Sequence, residues 1–154
     1  MRHRRYTVKL GRNSSHRRAM FSNLCVSIIG CFGLGCCGVV STIPKLKAVR
    51  PMVERLVALS VRAYQCDLSV LSGVASGESL ARLKAESVSS RRRLYRVLRR
   101  RGLVERAVSI VGKAYVARDG GYVRVLRLHD RRIGDGGNTG LLQWVVEGDV
   151  VTKR

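Results

Sequence analysis

The placement of charge constrains this chain before anything else does. Thirty of its 154 residues are Lys or Arg against ten Asp or Glu, a formal net charge of +20. The first acid is Glu54, and ten Lys or Arg residues and two of the three His precede it. A second block, Arg82 to Arg106, holds ten more basic residues against Glu86 and Glu105. Like charges at that density repel one another in a free chain, so a polyanionic partner is implied: nucleic acid first, an anionic membrane surface second. Apolar residues make up 45% of the chain, which is globular, and the length suits one domain with a core of moderate size. Aromatics are only 5%, too few for binding built mainly on a row of rings stacked with bases.

Cysteine usage and hydropathy bear on the compartment. Cys25, Cys31, Cys36, Cys37 and Cys66 form an odd set, and the apolar stretch begins only after Met20, later than in a secretory signal. The expectation is a reduced, intracellular protein. Ser22 to Pro44 carries no charge, which raises the question of a membrane span. Gly30, Gly33, Gly35 and Gly38 weaken a helix there, and Asn23, Ser27, Ser41 and Thr42 dilute its apolarity. The segment therefore reads as a buried helix end, a Gly-rich turn and a buried strand.

Along the chain, residues 1–12 carry no period and read as a basic arm that orders on its partner. Asn13, Ser14 and Ser15 are capping residues, and Met20, Leu24 and Ile28 mark a helix to about Ile29. Val39 to Ile43 is β-prone. Pro44 opens a second helix, capped by Ser41 or Thr42, whose face Leu46, Val49, Val53, Leu56 and Ser60 runs to about Tyr64. Pro51 should kink it. A third helix is predicted from Ser79 to about Arg101, broken near Ser87 to Ser90, with Leu80, Leu83, Val88, Leu94, Val97 and Leu98 inside and Gly102 at its end. A short helix from Leu103 to Val111 ends at Gly112. Tyr122 to Leu128 and Leu141 to Glu147 are strands joined by a Gly-rich loop. The fold class is α+β: a small mixed sheet packed against helices, in a single domain over 13–148, with a short tail at 149–154.

Several motifs fail on context. Gly33-x-Gly35-x-x-Gly38 matches the dinucleotide pattern, but a helix precedes it and a strand follows, the reverse of what phosphate binding needs. Cys31-x4-Cys36-Cys37 lacks zinc spacing, so these read as small core residues and no metal or other cofactor is expected. His3, His16 and His129 are scattered, and no carboxylate pair or nucleophile order appears. An enzyme and a small-molecule substrate are not expected. Arg91-Arg92-Arg93 and Arg99-Arg100-Arg101, with Arg96 between them, would set a broad cationic surface on one helix, and Arg suits phosphate because its planar fork donates two bonds.

The N-terminal residues add a resemblance. Met1-Arg2-His3-Arg4, then Leu10-x-Arg12-Asn13-Ser14-Ser15-His16-Arg17-x-Ala19-Met20-Phe21-x-Asn23-Leu24, resemble the bacterial-type large-subunit ribosomal protein seventeen family. Ser41-Thr42-Ile43-Pro44-Lys45-x-Lys47 is similar to that family's Thr-Thr-Leu-Pro-Lys-x-Lys segment, and the helix after it stays in register through Arg50, Val53, Glu54, Leu56 and Leu59. Ser90-Arg91-Arg92-Arg93-Leu94, Arg118-x-Gly120-Gly121-Tyr122-x-Arg124-Val125-Leu126 and Arg132-x-Gly134-Asp135 also resemble family segments, in family order. The chain departs from the pattern in an uncharged stretch at about 30–38, an extra segment at about 62–86, and Pro51 in place of a family Arg.

The resemblance implies the order helix, strand, three helices, two strands. It implies a structural constituent of the large ribosomal subunit, binding large-subunit ribosomal RNA near the peptide exit side beside neighbouring large-subunit proteins. No membrane partner and no homo-oligomer are expected, and the location implied is the cytoplasm of a bacterium or endosymbiont, ahead of an organelle. Carried over residue by residue, the family's arm and first helix point to Arg2, His3, Arg4, Arg12, Asn13, Ser14, Ser15, His16 and Arg17, with Lys45 and Lys47 at the second helix. Arg5, Lys9, Arg18, Arg50, Arg91, Arg92, Arg93, Arg96, Arg118 and Arg124 complete the expected RNA-binding set. The alternative is a non-ribosomal or assembly-stage RNA- or DNA-binding protein.

Overall fold

Asn13 starts the first helix. In the computed structural model, which describes residues 8–34, 38–73 and 77–145, its side-chain oxygen accepts the His16 backbone N–H at 2.9 Å. That satisfies one orphan donor of α1 (Ser14–Cys31), whose Cys25, Ile28 and Ile29 are buried. Strand β1 (Gly38–Thr42) follows. Thr42 holds the N-cap position of α2 (Ile43–Leu71) in extended conformation, without a side-chain capping bond, and Pro44 lies in the first turn, where its missing N–H has no helical partner to lose. The helix contains Pro51 and continues past Tyr64, where the apolar pattern fades. Ala63 and Cys66 are buried on that extension, and Asp67 finds partners on the next helix, so small and polar residues extend the face where apolar periodicity cannot show it.

Helix α3 (Glu78–Leu98) does not break at its serines. Ser87 and Ser90 are buried, and the Ser87 hydroxyl donates to Asp67 Oδ1 at 2.6 Å. Leu94 and Leu98 are also buried, but Val88, expected inside, is exposed. The helix ends earlier than predicted because Arg99 takes the left-handed conformation, φ 55° and ψ 14°, with its N–H bonded to the Tyr95 carbonyl. A non-glycine residue there costs roughly 1 kcal/mol. Arg101 therefore starts a new helix, α4 (Arg101–Arg106), and Gly102 lies inside it rather than ending α3. The two Arg triplets do not share one element. α4 runs on into a π-helical segment, Ala107–Gly112. Gly112 is a point of contact and not a stop: a Cβ there would lie 2.7 Å from the Ser60 carbonyl oxygen of α2.

Strands β2 (Val123–Arg131) and β3 (Asn138–Trp144) complete the sheet. Its order is β1-β3-β2, and both pairings are antiparallel, so the sheet is not mixed. β3 begins earlier than expected, because Thr139 and Gly140 pair with Thr42 and Ser41 of β1. Gly140 can only be glycine-sized: an added Cβ would sit 2.8 Å from the Leu126 oxygen and 3.2 Å from Ile43. Gly140, Leu142 and Trp144 face the helices, as do Val123 and Val125.

One aromatic cluster ties the ends of the elements together. Phe32 and Trp144 meet edge-to-face at 4.9 Å, Tyr115 and Tyr122 at 5.2 Å. The Trp144 indole N–H donates to the Ile28 carbonyl at 3.1 Å, and the Tyr115 hydroxyl to that of Val145. The observed order of elements is the one the family resemblance implies. Among the described residues no helix is long and apolar enough to cross a membrane. Arg2, His3, Arg4, Arg5, Cys36, Cys37 and the tail 149–154 lie outside the described residues.

Candidate nucleic-acid interface

The predicted basic residues fall into three groups on the folded chain. The first surrounds the start of α1. Lys9, Ser14, Ser15, His16 and Arg18 are exposed, and the first turn contains no acid. The positive end of the helix dipole is therefore uncompensated by any side chain of its own turn. Arg17 Nη1 donates to the Arg12 carbonyl at 3.2 Å, and Arg12 Nη1 rests 2.7 Å from the Met20 sulfur. Arg12 and Arg17 thus shape the chain ahead of the helix while still partly reaching solvent.

The second group lines a cleft of about 730 Å³ between α2 and the outer edge of β2. Ile43, Lys47, Arg50 and Glu54 recur at three- and four-residue spacing on α2, opposite Val125 and Arg127. Lys45, two residues before Lys47 on α2, is half-buried and does not line the cleft. Glu54 is the acid nearest these cations, and its carboxylate is already engaged. Its two oxygens accept the backbone N–H groups of Tyr122 and Val123, each at 3.1 Å. Lys47, Arg50 and Arg127 have no ion-pair or hydrogen-bond partner among the described residues. Arg127 was not among the expected residues. The signal for it is the period of two: Val123, Val125 and Arg127 share the strand face that looks toward α2.

The third group is the arginines of α3. Arg92, Arg93 and Arg96 are exposed. Arg91 differs: it donates to Asp67 at 2.6 Å and to Glu105 at 3.2 Å, joining α2, α3 and α4. Of the three, Arg91 is the one already paired with acids of the fold. Arg118 and Arg124 are likewise used inside the fold. Arg118 Nε donates to the Gly120 carbonyl at 3.0 Å, and Arg124 Nε to Gln143 Oε1 at 3.2 Å across the strands. Arg106, not predicted, donates to the Phe32 carbonyl at 2.8 Å, a cation at the C-terminal end of α1.

Among the described residues no three His, Cys, Asp or Glu groups are placed to hold a metal ion. Burial pushes the Cys25 thiol up to about 12, so it stays protonated and inert at neutral pH. What the fold and its surface define is a small basic α+β protein, with helices on one face of an antiparallel sheet and clusters of unneutralised cations. The chain belongs to the ribosomal protein L17 family, whose profile matches residues 14–145. It is similar to the large ribosomal subunit protein bL17 of Thermotoga neapolitana, 39% identical over 145 residues that cover 94% of this chain and 95% of that protein. The bL17 of Thermotoga maritima is 37% identical with the same coverage. That of Fervidobacterium nodosum is 35% identical over 94% of this chain and 99% of its own length. The family is a structural component of the ribosome and not an enzyme.

Proposed function

We propose that this structural protein of the large ribosomal subunit binds and stabilises large-subunit ribosomal RNA near the peptide exit side, beside neighbouring large-subunit proteins. The location would be the bacterial cytoplasm. The arm at residues 1–12 and the start of α1 take one stretch of phosphate backbone, with the α1 N-terminus offering backbone donors. Lys47, Arg50 and Arg127 take a second stretch in the cleft beside β2. Contacts of this kind fix register and do not read bases. The observation that carries the proposal is the cleft itself: three cations line it, and Glu54, the one acid among its described lining residues, is occupied by backbone N–H groups.

Sucrose-gradient sedimentation of tagged protein, before and after a high-salt wash, tests it. Co-migration with the large subunit that survives moderate salt is expected. Association only with precursor particles would identify an assembly-stage factor. Recovery on DNA, away from ribosomal fractions, would overturn the proposal.

A further inference from the structure

The groove between α3 and α4 has no role in the account above. Val88, Arg92 and Tyr95 on α3 face Arg101 and Val104 on α4 across about 550 Å³. Tyr95 is 47% exposed and Val88 45%. Every other aromatic among the described residues (Phe21, Phe32, Tyr64, Tyr115, Tyr122 and Trp144) is buried or half-buried. A chain with so few rings leaves this one in water, two helical turns from Val88 on the same face and beside two guanidinium groups. Arg92 and Arg101 have no partner among the described residues. The walls are braced, because Arg91 is bound to Asp67 of α2 and Glu105 of α4.

We propose that this groove holds one unpaired nucleotide of RNA, its base stacked on Tyr95 and Val88 and its phosphate between Arg92 and Arg101. The inference rests on the RNA-binding reading above. A π-face of any base can stack on a tyrosine, whereas bases inside a duplex have their faces covered by their neighbours. Arg92 and Arg101 match phosphate, since the Glu105 on the same rim is paired with Arg91, and the apolar patch is two side chains wide, which suits a base better than a protein segment.

The test uses the full chain and two fluorescent probes, a short oligouridylate and an RNA duplex of equal length, with affinities read by anisotropy at fixed salt. Tyr95→Ala should weaken oligouridylate binding by at least about fivefold and leave duplex binding unchanged. Tyr95→Phe should retain both. Arg92→Gln with Arg101→Gln should flatten the salt dependence of oligouridylate binding by about 0.7 to 1.4 in log-log slope. Unaltered melting of each variant confirms that folding is intact. Equal loss on both probes, or no loss with Tyr95→Ala, would overturn the groove while leaving the ribosomal reading standing. A crosslink from position 95 to a neighbouring ribosomal protein, with RNA binding unchanged by Tyr95→Ala, would also overturn it. Failure of the unaltered chain to bind either RNA would sink the RNA-binding reading as well.

Discussion

Glu54 shows how one residue can matter in a chain with twenty surplus positive charges. Its carboxylate oxygens hold the N–H of Tyr122, just before β2, and that of Val123, the first residue of the strand, against α2. Hydrogen bonds to a charged acceptor are worth ~1.5–3 kcal/mol. Glu54→Gln keeps one acceptor and turns an amide N–H toward the other donor, so it should lower unfolding free energy by ~1–2 kcal/mol in urea titration. An unchanged midpoint would mean that solvent competes fully for those N–H groups. The sequence marks Glu54 only as the first acid and as a residue in family register, because its partners lie almost seventy positions away. Cys25 gives a second expectation. Its thiol is raised from 9.0 to about 12 by burial alone, so the neutral form is favoured in the fold. The stability this contributes is fully present below the unfolded value and falls as pH rises from about 9 toward 12. Thiol labelling of Cys25 at pH 8 should follow the rate of unfolding, while rapid labelling of the folded chain would show the site to be open.

Between elements, the contacts that settle the helical layer are small or polar. The break predicted in α3 lies at Ser87 to Ser90, yet both serines are buried beside Leu94 and Leu98. Serine is an ambiguous letter: it competes with the helical backbone when exposed, yet it packs closely and finds a partner when buried. Asp67, Ser87, Arg91 and Glu105 form one linked network across α2, α3 and α4. Both Asp67 and Arg91 remain about a third exposed, so solvent screening keeps the coupling small. A double-mutant cycle with Asp67→Asn and Arg91→Gln should give a coupling of ~0.5–1 kcal/mol, falling in high salt. Zero coupling would mean that water competes fully for both side chains. Gly112 behaves in the opposite way, through size alone. Its neighbours are the Ser60 backbone and the Tyr64 Cβ, which cannot rotate aside, so Gly112→Ala should cost ~1–3 kcal/mol. Helix propensity predicts a gain for the same change on a free helix, which makes the sign of the measured shift decisive.

For the whole molecule, the order of elements was readable because periodicity, caps and turns are local signals. Asn13 begins a helix, Pro44 begins the next, and Gly120-Gly121 precedes a strand for reasons contained within a few residues. The antiparallel sense of the pairing and the reach of Arg127 into the α2 cleft depend on distant partners, and the αL stop at Arg99 has no glycine to mark it, so none of the three was readable. The same division holds for the interface. The charge said that phosphate must be nearby, but not which arginines were free to meet it: Arg91, Arg118 and Arg124 have duties inside the fold, and Arg127 does not. Free cations should contribute to RNA affinity without contributing to stability. Neutralising Lys47, Arg50 and Arg127 together as glutamines should therefore reduce the log-log salt slope of RNA binding by ~2–3, at ~0.7–0.9 per lost phosphate contact. The loss should be similar for RNAs of different sequence, since phosphate contacts carry no base information. Melting temperature should hold or rise slightly, because three mutually repelling charges are removed and no internal bond is broken. A fall in melting temperature, with the salt slope unchanged, would make these residues part of the folded framework and move the phosphate path elsewhere on the basic surface.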